Sequence, residues 1–235
     1  MARLLIHVEG QTEESFVNDI LAPHLYGHGF THVSARLLGN ARLRERRGGI
    51  KAWPAVKRDI ARHLLQDAGA ASATFVDFYA LPATGSGAWP GREQANQMSF
   101  ANKSSVVEAA LHSDMALELG AAAGSASERF IPFVVMHEFE GLLFSCPRRF
   151  SEGIGRPELQ VPFQAIRDQF ESPEAINDSP QTAPSKRIEA LVPEYQKPLY
   201  GTIAALEIGL APMRAECPLF DAWLNRLEAW GQRQA

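Results

Sequence analysis

Three short apolar runs constrain what this chain can fold into, because each one carries a carboxylate at or near its end. LLIHVEG ends beside Glu9, TFVDFYALP holds Asp77, and FIPFVVMHEFEGLLF places Glu138 and Glu140 just past its apolar stretch. Segments of helical periodicity separate these runs, the pattern of buried strands in a parallel sheet with helical crossovers. In such a sheet the carboxyl ends of neighbouring strands meet at one edge, and ligands bind there. Carboxylates gathered at one edge repel each other unless a cation lies between them. Hard divalent ions such as Mg²⁺ take oxygen ligands and hold phosphates as well. The expectation is a metal-dependent enzyme acting on phosphates, with nucleic acid as the foremost substrate.

Residues 3–8 read as the first strand. Residues 11–25 read as a helix with Thr12 as its N-cap and Phe16, Ile20 and Leu21 in register. A second strand is expected over 31–38, a helix over 53–67 with Val56, Ile60 and Leu64 inward, and a third strand over 73–79. A helix over 103–119 and a fourth strand over 130–136 complete a β-α-β-α-β-α-β order. This predicts an α/β fold, a mainly parallel four-stranded sheet flanked by helices, over residues 1–145. The small-residue run GAAAGSAS at 120–127 reads as a linker. Beyond it, proline-separated helices are expected near 157–171, 184–192, 202–215 and 218–230, with no strand. Residues 146–235 therefore read as a helical C-terminal extension packed on the sheet domain. Residues 80–101, rich in Pro, Gly and Ser, read as a long functional or mobile loop.

Of the 235 residues 46% are hydrophobic, enough for a sizeable core, and 21% are charged, which excludes a disordered chain. The net charge of −4 argues against a globally basic nucleic-acid binder but leaves room for a local basic patch. Cys146 and Cys217 are far apart and form no CxxC, so neither a disulfide framework nor a Cys-rich zinc site is expected. The start of the chain lacks the long apolar core of a signal peptide, and no stretch approaches the ~20 apolar residues of a membrane span. The expectation is a soluble, cytoplasmic protein with no membrane partner.

Glu9 precedes Gly10, which allows a sharp strand-to-helix turn; Glu13 and Glu14 read as solvated first-turn acids serving the helix dipole. Asp77 lies among Phe75, Val76, Phe78 and Tyr79, where a charge is expensive to bury unless it is paired. Glu138 and Glu140 either share a strand face or flank a turn, and two such carboxylates can share a metal or divide acid and base roles. His137 reads as a strand-end imidazole rather than a ligand, and the HExxH zinc spacing fails because residue 141 is Gly. The segment 39–51 carries Arg42, Arg44, Arg46, Arg47 and Lys51 around Gly48 and Gly49, a composition suited to phosphate and free of aromatics for base stacking. In NDSPQTAPSKRIEAL, Lys186 and Arg187 open a helix, where cations oppose the dipole; such local conflicts concentrate at functional sites.

Taken together, EGQTEESFV, FVDFYALP, HEFEGLLFS, INDSPQTAPSKRI and ALEIGL with CPLFDAWL closely resemble the domain-of-unknown-function family 4276, over nearly the whole chain. That family resembles a divergent Toprim-like group. Toprim domains of topoisomerases, primases and overcoming-lysogenization-defect nucleases hold Mg²⁺ with a Glu after the first strand and an Asp-x-Asp after a later one. The resemblance implies that Glu9 matches the Glu and Asp77 the first Asp, while Tyr79 replaces the second. It further implies an ATPase partner in a phage-defence-type system.

The leading expectation is a Mg²⁺- or Mn²⁺-dependent nuclease or related phosphodiester-processing enzyme. Glu9, Asp77, Glu138 and Glu140 would hold the ion, with Glu9, Asp77, Glu138 and Lys186 catalytic. Arg46, Arg47, Lys51 and Arg187 would hold phosphate on DNA or RNA. The alternatives are a non-catalytic nucleic-acid or partner-binding module, which Tyr79 favours, and a small-molecule phosphate enzyme using loop 80–101 as a lid.

Overall fold

Alternation along the central strands decides the architecture. In β1 (Ala2–Val8), Ala2, Leu4, Ile6 and Val8 face one side; in β3 (Ala70–Asp77), Ala71, Ala73 and Phe75 face the same side. β3 is buried along its whole length, as a strand covered on both faces must be. The structure, a computed structural model, describes residues 1–38, 49–177 and 181–234, with residues 121–124 described by backbone alone. It is an α/β fold whose strand pairs are all parallel, in the order β2-β1-β3-β4, where β2 is Phe30–Leu37 and β4 is Phe130–Ile131.

The fourth strand expected over 130–136 is broken. Pro132 has no N–H to give a ladder, so pairing with β3 stops at Ile131 and resumes in β5 (Val134–Val135). Between them, the Phe133 N–H donates to the Thr74 carbonyl at 3.1 Å.

The helices follow in chain order. α1 (Gln11–Phe16) runs through a π-helical turn, Val17–Leu21, into α2 (Ala22–Tyr26). Thr12 is buried inside α1 rather than capping it; Gly10 holds the cap position. α3 (Trp53–Gln66), α4 (Arg92–Ala95) and α5 (Phe100–Leu119) cover one face of the sheet. In place of a linker, Ala121–Arg129 forms 3-10 turns. α6 (Glu140–Leu143), α7 (Pro147–Gly153), α8 (Gln160–Arg167), α9 (Pro184–Leu191), α10 (Thr202–Ile208), α11 (Leu210–Glu216) and α12 (Pro218–Arg233) complete the chain.

The C-terminal helices and α1 share one core with the other face of the sheet. Trp223 of α12 stacks on Phe133 at 4.9 Å and lies 5.5 Å from Phe75, and its indole N–H donates to the Ile131 carbonyl. Residues 80–101 are pinned rather than lid-like. Trp89 is buried and donates to the Lys51 carbonyl at 3.0 Å. The Arg92 guanidinium lies 3.7 Å over the Phe78 ring and donates to the Phe78 carbonyl. Among the described residues no helix is long and apolar enough to cross a membrane.

Candidate functional site

The register of the sheet brings the predicted acids to one edge. Val8 pairs with Phe75, so Glu9 leaves β1 level with Val76, one residue short of Asp77. The Asp77 backbone N–H points at the Glu9 carboxylate. On the other side of β3, Asp77 pairs with Val135 of β5. The chain then turns at His137, whose φ of 67° is left-handed and uncommon for a residue with a side chain. That turn leads into α6, and Asp77 Oδ1 accepts the Phe139 N–H at 2.9 Å. Glu138 and Glu140 flank this turn instead of sharing a strand face.

A cleft of about 280 Å³ opens here, lined by Glu9, Glu13, Asp77, Gly49, Lys197 and their neighbours. Glu13 belongs to it: only 8% exposed, it folds back over Gly10, where an added Cβ would lie 2.9 Å from its Oε2. Gly10 itself is extended, at φ −140°, so it supplies room for that carboxylate rather than an unusual backbone angle. Lys197 enters from the opposite wall, on the π-helical turn Lys197–Gly201. Gly201 packs so close to α1 that a Cβ would lie 2.9 Å from Thr12 Cγ2. The Lys197 ammonium is 3.0 Å from Glu140 Oε2 and 3.8 Å from Glu138 Oε1. Glu138 Oε2 also accepts the Ser185 N–H at the start of α9, at 2.9 Å.

Charge does not balance in this cleft. Among the described residues, Glu9, Glu13 and Asp77 line the cleft with Lys197, and Glu138 and Glu140 reach the same ammonium, five carboxylates to one cation. Burial, and then repulsion from the neighbouring acids, pushes the Glu9 and Asp77 carboxyls above the ordinary carboxylate range. The same causes raise Glu13 to about 7, against the partial relief of a backbone N–H. Burial also raises Glu140, which Lys197 only partly offsets. For Lys197, burial opposes the charge, but Glu140, Asp77 and Glu138 outweigh it and hold its pKa above the ordinary lysine value. Among the described residues, Glu9 Oε2 and the Tyr195 hydroxyl, beside Glu140, are buried without a hydrogen-bond partner. Among the described residues no three of these carboxylates bring their oxygens within 4.8 Å of one another.

The other predicted residues lie elsewhere. Lys186 is exposed on α9 and pairs with Glu189 at 2.5 Å, so the cation among the carboxylates is Lys197 instead. Arg187 donates to the Thr182 carbonyl and stacks 5.0 Å from the Phe170 ring. Lys51 is exposed. Arg42, Arg44, Arg46 and Arg47 fall outside the described residues. The residues bounding that segment are fixed at the cleft: the Leu38 N–H donates to the Val8 carbonyl and the Gly49 N–H to the Glu9 carbonyl, both at 2.9 Å. Tyr79 turns from the acids to His137, ring centroids 5.3 Å apart, and its hydroxyl accepts from Asn177. His137 is a packing residue, buried against Tyr79 and Phe100, with its pKa lowered to about 4 chiefly by burial. A larger cavity of about 630 Å³ between α5 and α12 has no such surplus of acid; its half-buried Glu108 is paired with Arg226 at 2.8 Å.

Reading the sequence alone missed Glu13, Lys197 and Tyr195. Glu13 was legible, since it lies three and four residues before the buried Phe16 and Val17, on the inner face of α1. Lys197 gave no local signal.

No curated protein and no solved structure matches the chain. One family model, Domain of unknown function (DUF4276), matches residues 8–228. The match runs from the last residue of β1 through most of α12 and so takes in every carboxylate of the cleft; the chain belongs to the DUF4276 family.

Proposed function

We propose that the chain is a divalent-metal-dependent phosphodiesterase of Toprim-like design, acting on nucleic acid with Mg²⁺ or Mn²⁺. The observation that carries this reading is the buried Glu9 Oε2, without a hydrogen-bond partner among the described residues, in a cleft that Glu13 and Asp77 also line and where Lys197 is shared with Glu138 and Glu140. An all-oxygen donor set with surplus negative charge fits a hard cation. Glu9, Asp77 and Glu13 would hold the ion, with Glu138 and Glu140 completing the set from the α6 turn. When bound, such an ion activates a water and neutralises charge on the phosphate.

The chain's own residues supply the rest. Glu13, raised to about 7 in the ion-free cleft chiefly by burial, would give up that proton when it binds the cation. Lys197 stays charged and steadies Glu140 and phosphate oxygens at the cleft wall. The 39–48 segment, bounded at Leu38 and Gly49 by bonds to the strand end that carries Glu9, would give Arg46 and Arg47 to the phosphate backbone. In this reading Lys197 takes the role that the sequence suggested for Lys186. Cytoplasmic location and an ATPase partner accompany the reading as parts of the same proposal.

Lys197 also favours a second reading, a non-catalytic nucleic-acid or partner-binding module. Its ammonium already offsets part of the charge, and Tyr79 removes an expected carboxylate. The deciding assay incubates the protein with single- and double-stranded DNA and RNA in Mn²⁺ or Mg²⁺, alone and with an ATPase encoded beside it. Cleavage lost in Asp77→Asn supports the enzyme. Binding without cleavage in every condition supports the module.

A further inference from the structure

A second constellation lies outside the acidic cleft. His24 in α2 and His28 just beyond its end are four residues apart, the spacing that puts two side chains on one helical face. Their rings sit 4.6 Å apart. Both aim Nε2 at one carboxylate oxygen on α12: His24 at 2.6 Å and His28 at 4.0 Å from Glu228 Oε1. Among the described residues this is the one group of three whose candidate ligand atoms all lie within 4.8 Å of one another. A tetrahedral ion with bonds of about 2.0 Å needs its ligand atoms about 3.3 Å apart; the separations of 2.6 Å and 4.0 Å bracket that value.

The surroundings hold these groups in place. A Cβ at Gly231 would run into the His28 carbonyl and the Phe30 ring, so α12 seats directly on the chain that carries His28. The Gln232 side chain meets His28 Nδ1 at 3.2 Å. A partner on the far ring nitrogen fixes which nitrogen is left for a ligand, as outer partners of metal-bound histidines do. One feature opposes a cation: Arg214 pairs with Glu228 as well as with Asp221, at 2.5 Å for the latter.

We propose that His24, His28 and Glu228 form a binding site for a borderline divalent transition ion, Zn²⁺ foremost, with water as the fourth ligand. The ligand set of two imidazoles and one carboxylate suits Zn²⁺, Co²⁺ or Ni²⁺ rather than Mg²⁺. Bound there, the ion clips α2, which follows the Glu9 strand and α1, to the C-terminal α12. The site is independent of the acidic cleft and of the function proposed for it.

The test titrates metal-stripped full-length protein with Zn²⁺ by calorimetry and with Co²⁺ by visible absorption. One high-affinity equivalent is expected, with Co²⁺ bands of low-coordinate intensity. His24→Ala and His28→Gln should each weaken binding at least tenfold and abolish those bands. His28→Gln keeps a polar side chain of similar size at the junction, and far-UV circular dichroism checks that each variant is folded. Glu9→Gln should leave the affinity unchanged, while Arg214→Gln should tighten it severalfold by freeing Glu228. The proposal is overturned if folded His24→Ala and His28→Gln bind Zn²⁺ as wild type does. It is equally overturned if wild type shows no saturable Zn²⁺ binding, or if Glu9→Gln alone removes it.

Discussion

Replacing Glu13 by Gln removes one charge from the cleft at nearly constant side-chain volume, and its effect on stability should depend steeply on pH. In the folded chain Glu13 titrates near 7, against an ordinary value of 4.5, with burial the leading cause. The folded state therefore binds the proton more tightly than the unfolded state. Stability from this group is fully present below pH 4.5, falls as pH rises toward 7, and is absent above it. At about 1.4 kcal/mol for each pH unit, the ionised side chain costs the fold about 3 kcal/mol at pH 8. Glutamine escapes that cost. Without divalent ions, Glu13→Gln should match wild type at pH 4.5 and exceed it by about 3 kcal/mol at pH 8. For a chain of this size that corresponds to a Tm higher by about 6–12 °C. Asp77, raised in part by Glu13, should relax in the same direction. Urea and thermal unfolding in EDTA at the two pH values measure the difference. Glu174 also titrates near 7, mainly through burial, and adds its own slope, which cancels between variant and wild type. Equal stabilities at pH 8, or one constant gap at both pH values, would refute the electrostatic reasoning. Adding Mg²⁺ at pH 8 should stabilise wild type more than the variant.

Three further outcomes are expected. Asp77→Asn should leave far-UV circular dichroism unchanged while removing Mn²⁺-dependent cleavage, read on labelled oligonucleotides; retained cleavage would take Asp77 out of the mechanism. Lys197→Met should destabilise the fold by about 3 kcal/mol at pH 8, because Glu140, 1% exposed, loses its counter-charge. The loss should shrink as pH falls, because burial raises the Glu140 carboxyl above the ordinary range and eases its protonation, and denaturation at pH 8 and pH 5 checks it. Replacing Arg46 and Arg47 together with Ala should weaken nucleic-acid binding across sequences and lower the salt slope by about 2, measured by fluorescence anisotropy between 50 and 200 mM salt.

The short apolar runs at 3–8 and 73–79 and the helical segments between them determined a parallel α/β sheet from the sequence alone, because burial on two faces leaves a near-continuous apolar run in each strand. The ends of those runs placed Glu9 and Asp77 at one edge, since the carboxyl ends of parallel strands converge. Glu13 reads from the sequence as a solvated first-turn acid, and only the fold buries it over Gly10. Other features have no local signature. Pro132 lies within an apolar run, and only the ladder to β3 showed that the fourth strand breaks there. The loop 80–101 has the composition of a mobile segment, yet Trp89 and Arg92 anchor it against Lys51 and Phe78, partners the sequence does not pair with them. Lys186 and Lys197 look alike as isolated cations. Packing of Gly201 against Thr12 carried Lys197 into the cleft, whereas α9 turned Lys186 toward Glu189. His24, His28 and Glu228 are joined across 204 residues only because α12 seats on the start of β2 at Gly231. Periodicity records which face of an element is buried; which charges meet is decided by long-range packing, and that information exists only in the folded chain.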